Sequence, residues 1–83
     1  MNIKAVELVD LIIEKDVDGL TTFAQGLRLK IKAELLIQCK DVYELSLITK
    51  INYNKLSRYI HEAMDHEIDF DSMFKLVSFV NKK

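Results

Sequence analysis

The chain has 83 residues, enough for one hydrophobic core and no second, because a chain this short buries only about 60% of the surface its unfolded form exposes. With 49% hydrophobic and 30% charged residues, two Gly and no Pro, it is not a disordered tail, and it lacks the turn residues that a strand-rich fold needs. The net charge of −1 argues against a nucleic-acid partner, whose expected footprint is a basic domain, but residues 1–19 carry a net −3, residues 20–60 a net +4 and residues 61–83 a net −2, so a phosphate-facing surface is expected only in the middle of the chain.

Ile3, Val6, Val9 and Ile13 recur at helical spacing with Leu8 and Ile12 beside them, which predicts a first helix from Asn2 to about Lys15. The run Asp16-Val-Asp-Gly19 ends it. Asp18, Thr21 and Thr22 are candidate caps for a second helix, and Thr22-Phe-Ala-Gln25 fits the capping box, in which side chains at both ends satisfy free backbone N–H groups. That helix is expected to reach Gln38 or Lys40. Phe23, Leu27, Ile31 and Leu35 repeat every four residues, while Leu29, Ala33, Leu36 and Ile37 supply a second apolar strip, so the helix is expected to lie between others. Cys39 is expected as a small core residue.

Asp41-Val-Tyr-Glu44 is a further capping box, and it starts a short helix through Leu45, Leu47, Ile48 and Thr49. Lys50, Ile51 and Asn52 form a turn. Asn52 suits the cap of the next helix, which carries Leu56, Tyr59, Ile60 and Ala63 inward and is expected to stop near Met64 to His66. Asp69 or Asp71 opens a last helix with Met73, Phe74, Leu76, Val77 and Val80. The expected fold is all-α, a compact bundle of about five helices forming one domain over residues 1–83. Residues 2–16 form an extra N-terminal helix, and residues 41–61 form a helix-turn-helix.

Rotating 100° per residue along the helix after Asn52 sets Leu56, Tyr59, Ile60 and Ala63 on one side and Asn54, Arg58 and His61 on the other. Asn pairs two bonds with adenine and Arg two with guanine, so Asn54 and Arg58 are the candidate base readers, with Tyr53 at the helix start beside them. Lys55 flanks that face as a phosphate contact, and Lys50 and His61 are the other candidates for this role.

The stretch from Leu45 to Ile60 resembles the helix-turn-helix of lambda-repressor-like regulators of the Cro and Xre type. That pattern has seven fixed positions: Leu, a small residue, then after three variable residues Gly, an aliphatic and a capping residue, and after three more an aliphatic and Ser. Leu45, Ser46, Ile51, Asn52, Leu56 and Ser57 match six of them. Lys50 stands where the family prefers Gly, at a left-handed turn position that costs another residue roughly 1 kcal/mol. A small Ser46 lets the two helices cross closely, Ile51 plugs the turn into the core, and Leu56 and Ile60 hold the second helix down. The resemblance implies that the first, second and sixth residues of that helix reach base edges, which here are Tyr53, Asn54 and Arg58. It spans roughly residues 23–80, with the helix carrying Leu27, Arg28 and Leu29 in place of the family's first helix; residues 2–16 have no counterpart. Leu56-Ser-Arg-Tyr-Ile60 also looks like the N-terminal domains of archaeal phosphoribosyltransferase-like regulators, without their enzyme portion.

The expected function is therefore sequence-specific binding of double-stranded DNA by a small, repressor-like transcriptional regulator. A symmetric dimer through residues 2–16, using Leu8, Ile12 and Ile13, would set two recognition helices in major grooves about 34 Å apart. A reading from a different class is a helical protein-interaction module or nucleic-acid mimic that uses its acidic flanks and apolar first helix. No metal is expected, since His61 and His66 stand on different helical faces. Asp65, Glu67, Asp69 and Asp71 lack the glycine and closing glutamate of a calcium loop. With Cys39 in the core and no Gly-rich loop or nucleophile elbow, neither enzyme activity nor a cofactor is expected. One cysteine and no apolar run of roughly 18 to 20 residues predict a soluble, cytoplasmic protein with no membrane partner.

Overall fold

The computed structural model describes residues 5–64 and 68–81; Asn2 and Ile3 of the expected first helix, and Asp65, His66 and Glu67, lie outside the described residues. Five helices follow in chain order: α1 (Ala5–Glu14), α2 (Val17–Gln38), α3 (Val42–Thr49), α4 (Tyr53–His61) and α5 (Phe70–Asn81). Among the described residues there is no strand. The fold is the expected all-α bundle with a helix-turn-helix at α3 and α4.

The helix starts follow from side chains that accept backbone N–H groups left free by the first turn. Asp41 accepts from the Glu44 N–H at 2.9 Å, Asn52 from Lys55 at 3.2 Å and Asp69 from Ser72 at 2.8 Å. The expected start of α2 is corrected. Its cap is Asp16, whose carboxylate accepts from the Gly19 N–H at 2.9 Å, and Thr22 and Gln25 lie inside the helix. Gly19 is part of that first turn and does not separate two helices. A Cβ there would sit 2.5 Å from the Asp16 carboxylate and 2.6 Å from the Leu11 side chain, so a larger residue would have to displace the capping carboxylate and Leu11.

Cys39 is a second correction. It takes a left-handed backbone (φ 54°) as the C-cap of α2, with the Lys40 N–H returning to the Leu35 carbonyl, and this turn swings the thiol out to solvent. The premise of a core cysteine therefore does not hold. Helix α4 ends sooner than its expected stop, because Ala63 is left-handed and the Glu62 and Met64 N–H groups both donate to the Arg58 carbonyl. Ala63 is consequently exposed instead of inward.

Helix α2 is the spine. It packs against α1, α4 and α5, while α3 packs against α4 and α5. Leu27, Ile31 and Leu35 of α2 meet Leu8 of α1, Leu45 of α3, Leu56, Tyr59 and Ile60 of α4, and Met73, Leu76, Val77 and Val80 of α5 in one core. Each fully buried Leu or Ile stabilises the fold by about 1.5–3 kcal/mol relative to exposure. The second apolar strip of α2 is not part of this core: Leu29, Leu36 and Ile37 are exposed, so the helix is covered on one side only. Leu47 and Ile48 of α3 also face out. In α1 the inward residues are Leu8, Leu11 and Ile12, whereas Val6, Val9 and Ile13 are exposed. Leu8, fully buried, is unavailable for the dimer contact expected of it.

Candidate nucleic-acid interface

The site begins at the turn between α3 and α4. Ser46 is buried, its hydroxyl donating back to the Tyr43 carbonyl at 2.6 Å, in a helix that packs against α4. Lys50 takes the left-handed conformation that its position demands, φ 60° and ψ 28°, with its side chain exposed. Ile51 turns inward at 6% exposure, and Asn52 caps α4.

Three side chains clamp α4. Leu56 and Ile60 are buried four residues apart, and between them the buried Tyr59 sends its hydroxyl to donate to the Ala24 carbonyl of α2. The Arg28 guanidinium lies over the Tyr59 ring, 5.7 Å from its centre and within cation–π range. These contacts fix which face of α4 points away. That face carries Asn54, Arg58 and His61, all exposed, with Lys55 exposed at one edge and Tyr53 at the other. No acidic residue occurs within α4.

The sequence-predicted residues are thus distributed along one helix and its preceding turn. Tyr53, Asn54 and Arg58 share the outer surface of α4, Lys55 flanks them, and Lys50 projects from the turn. His61, at the end of α4, also lines a shallow groove with Ile60, Leu36, Lys32 and Lys40. It therefore sits between the outer face of α4 and the exposed side of α2.

Tyr43 belongs to the site and is not visible as such in the sequence. Its ring meets that of Tyr53 edge to face, centroids 6.1 Å apart and planes at 67°, which links the first turn of α3 to the first residue of α4. An exposed aromatic one residue past a helix start was the only signal. Asp69, which caps α5, lies within the electrostatic reach of Lys55. The Ser72 side chain and then its backbone N–H hold the Asp69 carboxyl below the usual carboxylate range, with Lys55 and Lys75 adding smaller attraction.

Among the described residues no group of three or more His, Cys, Asp or Glu side chains could hold a metal ion, and no helix is long and apolar enough to cross a membrane. No protein-family model, curated protein or solved structure matches the chain. Geometry and charge therefore carry the functional argument.

Proposed function

We propose that this protein binds double-stranded DNA sequence-specifically, laying α4 in the major groove, and acts as a small transcriptional regulator. The observation that carries this reading is the division of α4. Leu56, Tyr59 and Ile60 are buried, while Asn54 and Arg58 stand exposed on the opposite side, behind a three-residue turn with Lys50 left-handed. Asn54 and Arg58 have the donor and acceptor geometry to pair with adenine and guanine edges, and Tyr53 supports them at the helix start. Lys50, Lys55 and His61 supply positive charge to phosphates, which adds affinity without selecting sequence. The exposed positions on α3 are Tyr43, Glu44, Leu47 and Ile48, none of them basic, so positive charge comes from α4 and the turn.

A gel-shift titration over a pool of random duplexes tests this. Retention at about 50 mM salt that falls steeply by about 200 mM is the expected outcome for a protein neutralising several phosphates. Free duplex throughout the titration would contradict the proposal and would favour the protein-interaction reading through the acidic flanks and apolar first helix, to which the exposed Leu29, Leu36 and Ile37 of α2 add a second apolar face.

A further inference from the structure

Among the described residues, the apolar faces that α1 and α2 leave exposed are opposite in charge. On α1, Val6, Val9 and Ile13 are exposed in a strip, with Glu7, Asp10 and Glu14 beside them and no basic residue in the helix. On α2, Leu29, Ala33, Leu36 and Ile37 form an exposed strip, edged by Lys30 and Lys32, with Lys40 just past the helix end. Ile13 is 72% exposed and Leu36 81%. Single exposed aliphatics are ordinary, but contiguous strips of them mark interaction surfaces.

The two strips are not able to cover each other within one chain, because α1 already packs on α2 with Leu8 turned inward and its strip facing the other way. A second copy brings both halves. We infer that the acidic apolar face of α1 docks on the basic apolar face of α2 in a second copy of this chain, the contact being made twice about a two-fold axis. Apolar strip then meets apolar strip, and the α1 carboxylates meet the α2 lysines. Gly26, whose missing side chain would meet nothing within 4 Å, and Ala33 keep the α2 surface low and allow a close approach of the partner helix. A symmetric pair of α1 helices is disfavoured because each would face the other's carboxylates. Like-charge repulsion equally opposes a pair of α2 helices. This inference is independent of DNA binding and is measured on the protein alone.

Sedimentation equilibrium of the full chain, with helix content followed by circular dichroism, tests it. The expected particle has twice the 9.7 kDa chain mass and loosens as salt rises. Ile13→Glu and Leu36→Glu, both at exposed positions, should each weaken the dimer on the order of tenfold or more with helix content unchanged. The decisive arm uses two charge-reversed chains, one with Glu7→Lys, Asp10→Lys and Glu14→Lys, the other with Lys30→Glu and Lys32→Glu. Each alone should be monomeric, and an equimolar mixture should pair, because both contacts between unlike chains are then attractive. A wild type that stays monomeric, a dimer that survives both glutamate substitutions, or reversed chains that fail to pair on mixing would overturn the inference.

Discussion

The Tyr59 hydroxyl of α4 donates to the Ala24 carbonyl of α2, a bond across 35 residues of sequence that is buried and fixes how far α4 is rolled about its own axis. Asn54 and Arg58 point outward as a consequence. Tyr59→Phe keeps the ring and removes the donor. It should cost about 1 kcal/mol of stability, seen as a fall of about 4–8 °C in melting temperature for a domain of this size. An unchanged melting temperature would show that the ring alone, through Leu56, Ile60 and Arg28, sets the roll of α4.

Lys50 is left-handed without being glycine. Lys50→Gly should therefore raise stability by about 1 kcal/mol in urea unfolding, while removing the proposed phosphate contact should lower the salt slope of DNA binding by about one. The two effects have opposite signs, which separates backbone strain from charge in a single variant.

Tyr43→Ala removes the ring that meets Tyr53. Edge-to-face pairs contribute about 0.5–1.5 kcal/mol beyond burial, and Tyr43 is half-exposed, so the expected loss of stability lies at the low end of that range. If α4 reads DNA as proposed, affinity should fall further than stability does, since Tyr53 begins that helix. Comparing denaturant midpoints with gel-shift midpoints for the same variant makes the distinction.

Asp69 caps α5, and its carboxyl is held below its ordinary value of 3.8 in the folded state. A depressed carboxylate stabilises the fold above its unfolded value, and that contribution is lost as pH falls through the folded one. Asp69→Ala should cost on the order of 1 kcal/mol at neutral pH through the lost cap, and the gap to wild type should narrow below about pH 3.8. Urea unfolding of both chains at neutral and acid pH measures it. A gap that stays constant with pH would place the cost in helix propensity instead of the carboxylate.

Arg58→Ala should relax the preference at one base pair by about 1–3 kcal/mol, whereas Lys55→Ala should weaken all duplexes alike and lower the salt slope by about one. Binding measured against a panel of single-base variants of the preferred site distinguishes the two.

Local chemistry was legible in the sequence where one side chain determines the outcome. Asp41 and Asn52 cap their helices as the sequence predicts, and Asp69, one of the two candidates with Asp71, caps α5, since a cap depends on residues within three positions. Asp16 was obscured because Asp16, Asp18 and the two threonines all offer capping oxygens, and Gly19 imitates a break although it lies in the first turn of α2, donating to the Asp16 cap. The buried face of α4 was legible from Leu56, Tyr59 and Ile60 at helical spacing. The exposure of Leu29, Leu36 and Ile37 was not, because a strip of aliphatics reads the same whether a neighbouring helix covers it or not. Cys39 shows the same limit: one left-handed residue turns an inward side chain outward. Tyr43 was hidden because its partner, Tyr53, lies on another helix and no periodicity links them.

The most direct test of the central claim is selection of bound sequences from a random duplex pool with wild type and with the Asn54→Ala/Arg58→Ala double variant. The account predicts a defined site for wild type and its loss in the variant, with residual salt-sensitive binding through Lys50 and Lys55. The same site emerging from both proteins, or no enrichment with wild type, would contradict a reading helix at α4.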